Sequence, residues 1–165
     1  MNSTERMKFV VPGDYPSQIQ GSPHIECLKK YGEVVLHTSR PLSVEEQIER
    51  VHDAQVIINT RGTVEWRGNA LRRLPKLRMI STCSIGTDMI DIKEAATQGI
   101  VVCNQPGRTA GIVAEHIIGL MFSVAKRVSF HTSELRAGRW TKMDSVLLNG
   151  KTLGVIGTGN VGKEV

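Results

Sequence analysis

A chain of 165 residues, 40% hydrophobic and 22% charged, holds enough apolar material for one packed domain of ordinary soluble composition. Aromatics make up only 4% of it, too few for stacked-base recognition, and the net charge of +5 falls mainly on "RGTVEWRGNALRRLPKLR" and "KRVSFHTSELRAGRWTK", neither of which matches a nucleic-acid motif. With no signal peptide, no C-x-x-C spacing among Cys27, Cys83 and Cys103, no paired Cys or His ligands, and a most apolar stretch ("GIVAEHIIGLMFSVA") too short for a bilayer, the expectation is a cytoplasmic protein with reduced thiols and no metal, membrane or nucleic-acid partner.

The first element in the chain is "MKFVV", an apolar run stopped by Pro12 and Gly13 that reads as a buried strand. "PHIECLKKYG" follows as a helix with Ile25 and Leu28 on one face and Gly32 as its stop. "EVVLH" is a second strand. "SVEEQIERVHDA" opens with Ser43 as N-cap and Glu46 three residues later, the spacing of a capping box, and Val44, Ile48 and Val51 recur at helical period. "QVIINT" is a third strand, "VEWRGNALRRLP" a helix ended by Pro75, "LRMIST" a fourth strand, "DIKEAATQGI" a helix closed by Gly99, and "VVCN" a fifth strand.

Five short apolar strands in strict alternation with four helices predict an α/β fold: a parallel, doubly wound, flavodoxin-like sheet with helices on both faces. Ligands of such sheets sit beyond the carboxyl ends of the strands, so the loops of interest are "VPGDYPSQ", "NTRGT", "STCSIGTD" and "NQPGRTAG". Beyond residue 105 the pattern changes. Residues from about Thr109 to Phe130 are continuously compatible with a long helix, apolar on more than one face (Ile112, Val113, Ile117, Ile118, Leu120, Met121, Val124), as expected of a hinge packed between domains or against a partner subunit. "SELRAGRW" reads as a shorter helix, and "VLLNGKTLGVIG" turns at Asn149-Gly150 into a sixth strand. The expected organisation is therefore 1–105 as one domain, 106–148 as hinge helices and 149–165 as the opening of a second domain.

That opening contains "GTGNVG". Gly157, Gly159 and Gly162 have the G-x-G-x-x-G spacing that starts a dinucleotide site: one glycine for the tight turn, one for backbone approach to a pyrophosphate, one for close helix packing. The N–H groups around Asn160 and Val161 would face the phosphates. The alternative is a glycine-rich turn between a strand and any helix.

Three ordered stretches, "ISTCSIGTDMIDI", "VVCNQPGRTAGIVAEHIIGLM" and "LNGKTLGVIGTGNVGKEV", resemble segments of the D-isomer-specific 2-hydroxyacid dehydrogenases, with Asn104, Pro106, Gly107, Val113, Ala114 and Glu115 in register. The resemblance runs from about residue 50 onward. It implies an NAD(P)-dependent oxidoreductase acting on the CH–OH group of a 2-hydroxy acid, or reducing a 2-keto acid in reverse. In that reading the first domain holds the substrate and 149–165 begins an NAD- or NADP-binding Rossmann domain. The N–H groups of Ile85 and Gly86 hold the substrate carboxylate, and a homodimer forms through the hinge helix region. Two positions depart from the family pattern: Ser84 stands where it has Gly, costing the loop backbone freedom, and Met89 where it has Asn. Asp88 can also N-cap a helix starting near Met89.

Other candidates each keep two readings. Arg61 either pairs with an acidic substrate group or is a solvated charge. Cys83 lies near the site without a base beside it and reads as a packed thiol. None of the five histidines has ligand spacing, and His116 reads as packed and hydrogen-bonded. The family's catalytic Arg, Glu and His correspond to no position here, and the resemblance puts all three beyond Val165. A dinucleotide half-site also needs about 30 residues and an acidic residue about 20 beyond the glycines, whereas only Lys163, Glu164 and Val165 follow Gly162. The sequence thus reads as the front end of a dehydrogenase, inactive as it stands. The alternative is a non-catalytic binding or dimerisation module on the same fold.

Overall fold

The structure is a computed structural model that describes residues 6–62, 64–106 and 109–165; Gly107, one of the family-register positions above, lies outside them. The chain divides into two compact units, 1–106 and 107–165.

The first unit is a five-stranded parallel sheet of order β2-β1-β3-β4-β5, the flavodoxin-like arrangement expected. Its strands are β1 (Met7–Val11), β2 (Gly32–Leu36), β3 (Val56–Asn59), β4 (Met79–Thr82) and β5 (Val101–Cys103), and its helices α1 (Pro23–Lys29), α2 (Val44–Val51), α3 (Gly68–Leu71) and α4 (Ile92–Thr97). β3 is buried throughout, as a central strand covered on both faces must be. Val10, Ile57 and Ile80 point to one face, where Ile48, Val51, Leu71, Leu74 and Ala95 close the core; the alternate residues Phe9, Val56 and Ile58 are buried on the other. Ser43 caps α2 by accepting from Glu46 N (3.1 Å), and the Glu46 carboxylate reaches back to Leu42 N (2.7 Å), one residue ahead of the usual capping-box partner.

Several local expectations are corrected. Gly32 does not stop α1; it is the first residue of β2, paired with Met7, and a Cβ there would lie 1.8 Å from the Met7 carbonyl oxygen. The helix expected from Val64 starts only at Gly68. Val64 and Trp66 are buried at alternate positions, and Trp66 bridges to Ile90, its N–H donating to the Met89 carbonyl (2.6 Å). α4 begins at Ile92 with Asp91, not Asp88, as its cap, accepting from Glu94 N (3.0 Å).

The second unit contains α5 (Ala110–Ala125), α6 (Val128–Arg136) and α7 (Asn160–Glu164). The continuous helix expected to Phe130 breaks after Ala125. Arg127 adopts φ +52°, its guanidinium donates to the Asp144 carbonyl (2.7 Å), and the Ala125 carbonyl takes the Val146 N–H (2.9 Å), so contacts distant in sequence replace the helical ladder. "SELR" belongs to α6, ended by Gly138 at φ +73°. The chain turns at Gly150 (φ +72°) as expected, yet residues 151–157 form no strand among the described residues, because nothing described pairs with them. α5 is strongly apolar but exposed: Ile112, Leu120 and Val124 face solvent, Met121 is half-buried, and His116, expected to be packed, is exposed and makes no hydrogen bond among the described residues. No helix among them is long and apolar enough to cross a membrane.

Candidate functional site

A cleft of about 180 Å³ opens at the carboxyl ends of β3 and β4, lined among others by Asn59, Arg61, Ser84, Gly86 and Asp88. β3 delivers Asn59 and Arg61, and β4 runs straight into the loop 83–87.

The 84–86 loop has its carbonyls anchored. Ser84 O accepts from Gln105 N (3.0 Å), Ile85 O from the Asn104 side-chain amide (2.8 Å), and Gly86 O from the Ser84 hydroxyl (2.9 Å). Because Ser84 spends its single hydroxyl proton on Gly86, the 2.7 Å contact between Thr82 Oγ1 and Ser84 Oγ must be donated by Thr82. With the carbonyls held, the N–H groups of Ile85 and Gly86 meet no acceptor among the described residues. Two neighbouring N–H donors in a fixed loop are what a carboxylate needs. Ser84 itself is not in the left-handed region, so the serine costs the loop no backbone strain; instead its hydroxyl stitches Thr82 to Gly86.

Arg61 and Gly62 both have positive φ (+47° and +59°), a sharp turn that places the Arg61 side chain on the cleft. An arginine in this conformation is strained by about 1–2 kcal/mol, the kind of outlier that gathers at binding sites. Its guanidinium is held by Gln18. With the amide oxygen turned to it, Gln18 accepts from Nε (2.6 Å) and Nη2 (3.2 Å). Gln18 belongs to the loop after β1, organised by Asp14. This fully buried carboxylate accepts from the N–H groups of Gln18 (2.9 Å), Ile19 (3.1 Å) and Gln20 (2.9 Å) and from the Ser17 hydroxyl (3.3 Å). Burial pushes the Asp14 carboxyl up, but those donors outweigh it and hold it below its ordinary value. Asp88 sets an opposing charge on the cleft; its carboxylate lies 3.2 Å from where a Gly86 Cβ would sit, and its carbonyl accepts from Arg67 Nη1 (3.1 Å).

The structure therefore brings Arg61 and Gly86 onto one cleft in the first unit, with Arg61 held rather than loose, while Ile85 precedes Gly86 in the same loop but is not among the residues lining that cleft. The half-buried Cys83 thiol is pushed above its ordinary pKa by burial and then by the Asp14 charge. Sequence reasoning missed Asp14, Gln18 and Asn59. Asp14 left a signal in its D-x-x-S spacing, a turn former, but nothing local marks Gln18 as the partner of Arg61. Asn59 is 1% exposed, donates through Nδ2 to the Val64 carbonyl (3.2 Å) and has no partner for Oδ1 among the described residues.

The glycine loop lies in the second unit. Gly157 has φ +94°, open to glycine alone without penalty. Gly159 caps α7, and nothing lies within 4 Å of where its Cβ would be. Gly162 has no room for a Cβ, which would meet the Gly157 carbonyl oxygen at 2.0 Å. Asn160 and Val161 form the first turn of α7. Val165 is the C-cap of that helix, its N–H donating to the Val161 carbonyl (3.2 Å), so it closes a turn and carries no functional group to the site. A tight turn, an open backbone and a close approach at the three glycines fit a pyrophosphate.

Residues 17–143 match the family described as D-isomer specific 2-hydroxyacid dehydrogenase, catalytic domain. The D-3-phosphoglycerate dehydrogenase of Methanocaldococcus jannaschii is 36% identical over 143 residues, covering 86% of this chain and 27% of that protein. The glyoxylate reductase of Thermofilum pendens is 33% identical over 159 residues, 92% of this chain and 47% of that protein. A crystal structure of D-lactate dehydrogenase from Aquifex aeolicus, complexed with NAD and lactic acid, superposes with a TM-score of 0.74 at 25% identity, covering 95% of this chain and 46% of that one. The chain thus spans between about a quarter and half the length of the relatives it matches.

Proposed function

The chain belongs to the D-isomer specific 2-hydroxyacid dehydrogenase family, and from that premise we propose that it supplies the substrate side of an NAD(P)-dependent oxidoreductase acting on a 2-hydroxy or 2-keto acid. The observation that carries this reading is the 84–86 loop, whose anchored carbonyls leave the Ile85 and Gly86 N–H groups to a carboxylate beside Arg61. Residues 1–105 are the substrate domain, 106–148 the hinge and 149–165 the start of the cofactor domain.

When bound, the dinucleotide supplies the hydride acceptor or donor for C2 of the acid. Gly157, Gly159, Asn160, Val161 and Gly162 would hold its pyrophosphate, which favours neither NAD nor NADP. The chain's own contribution is binding: Ile85 and Gly86 fix the carboxylate end, Arg61 meets an acidic group on the acid, and no residue here is assigned as the proton donor. These 165 residues alone are accordingly expected to turn over no 2-keto acid. The exposed apolar side chains of α5 support a homodimer through the hinge region, and three free thiols support a cytoplasmic setting.

Titration of the ¹⁵N-labelled chain with glycolate tests the assignment. The Ile85 and Gly86 amide resonances should move first and furthest, and shifts confined to other loops would reject it. A spectrophotometric assay with NADH and glyoxylate or hydroxypyruvate should show no turnover by the 165 residues; steady turnover abolished by a substitution within them would overturn the division of roles.

A further inference from the structure

We propose that Gln18 is a positioning residue for Arg61, holding the guanidinium on the cleft through a neutral acceptor so that its positive charge stays available to an anionic group of the ligand. The proposal rests on the assignment of Arg61 to the substrate cleft.

Arg61 is held by a neutral acceptor, as Arg127 is in the second unit by the Asp144 carbonyl (2.7 Å), and this separates it from the arginines that sit on carboxylates. Among the described residues five other arginines pair with carboxylates: Arg50 with Glu46 (2.5 Å), Arg67 with Glu65 (2.9 Å), Arg72 with Glu94 (2.6 Å), Arg139 with Glu134 (2.5 Å) and, more loosely, Arg73 with Glu45 (3.7 Å). Each of those pairs cancels its own charge. Arg61 forms no ion pair among the described residues, and its acceptor is a carboxamide oxygen that takes both Nε (2.6 Å) and Nη2 (3.2 Å). A guanidinium has five N–H donors, so two are used to fix one edge and three remain for a ligand. The carboxamide contributes orientation without neutralising charge, which a glutamate in the same place could not do.

Gln18 is itself fixed from behind. Its backbone N–H donates to the buried Asp14 carboxylate (2.9 Å), which also gathers Ile19, Gln20 and Ser17, so the loop after β1 presents the Gln18 side chain from a rigid base. The arginine is likewise constrained at its own backbone, at φ +47° on the cleft. A long, exposed side chain held at both ends loses little further freedom when it meets an anion, the condition under which a surface charge contributes to affinity.

The test compares glycolate, with one carboxylate, and tartronate, a 2-hydroxy acid with a second carboxylate. Both are titrated into the whole 165-residue chain at neutral pH and followed at the Ile85 and Gly86 amides. The wild type should prefer tartronate by up to about fivefold, the range of an oriented but solvent-exposed charge pair. Gln18→Leu should abolish that preference in the wild-type background and change nothing in an Arg61→Ala background. Gln18→Glu should abolish it too, while keeping the Arg61 Nε–H resonance slow to exchange, because the grip survives and the charge does not. A residue that merely anchors its loop would leave the preference intact in Gln18→Glu. Preference retained in either variant, or a Gln18→Leu effect that persists without Arg61, overturns the proposal and leaves the cleft assignment standing. If neither acid moves the two amides in the wild type, the cleft assignment and the proposal fall together.

Discussion

Replacing Asp14 by Ala should destabilise the first unit by about 2 kcal/mol and by Asn somewhat less. The carboxylate is fully buried and takes three backbone N–H groups and one hydroxyl. Hydrogen bonds to a charged acceptor contribute about 1.5–3 kcal/mol each, so the three backbone donors give roughly 4–9 kcal/mol before the several kcal/mol that removing a carboxylate from water costs. Gln18 and Gln20 are exposed, so water can take over part of the lost bonding, which brings the difference to about 2 kcal/mol. In Asn the amide NH₂ has to face at least one backbone donor, so part of the cost remains. The pH dependence has a definite sign. The native carboxyl is held below its ordinary value of 3.8, so its stabilisation is present above that value and is lost as the pH falls through the lower, native one. Urea unfolding reports this conveniently, because Trp66 is buried in the first unit whereas Trp140 is exposed. The gap between wild type and Asp14→Asn should be constant from about pH 5 to 7 and narrow progressively as the pH falls below 3.8. A gap under about 0.5 kcal/mol at pH 7, the noise of a surface substitution, or one that widens as the pH falls below 3.8, would refute the reasoning.

Gly32→Ala should cost at least about 2 kcal/mol, since its methyl would meet the Met7 carbonyl at 1.8 Å and the β1–β2 pairing must give; a thermal melt within about a degree of wild type would contradict the register. Arg61→Gly should relieve the positive φ and leave stability level or up to about 1 kcal/mol higher while weakening carboxylate binding, a trade that denaturation and titration of one sample would reveal. Ser84→Gly removes the link between Thr82 and Gly86 and should cost about 1 kcal/mol with faster amide exchange at Ile85 and Gly86; unchanged exchange would mean the hydroxyl is idle. Cys27 is exposed whereas Cys83 is raised by burial, so a thiol reagent at neutral pH should modify Cys27 first and Cys83 only slowly, as mass spectrometry of the peptides would show.

The strands are legible in the sequence because each is an apolar run between turn formers, and alternation with helices leaves few topologies open. Boundaries fail where a distant partner decides them. Val64 and Trp66 fit a helical pattern as well as an extended one, and only the bridge to Ile90 selects the second. Gly32 reads as a helix stop, but the close approach of Met7 is what demands a glycine there. The "LGVIG" run has strand composition, yet pairing needs a neighbour, and composition cannot supply one. Of the site, the Ile85–Gly86 loop and the three glycines can be read from motif and spacing. Gln18 cannot, because its link to Arg61 joins the loops after β1 and β3 and exists only once the sheet has placed those strands side by side.

A crystal structure of the chain with tartronate tests the central claim most directly. One carboxylate should lie within about 3 Å of the Ile85 and Gly86 N–H groups, with the second turned towards Arg61. Tartronate bound elsewhere, or those N–H groups taken by the Asp88 carboxylate with the acid left outside the cleft, would contradict it.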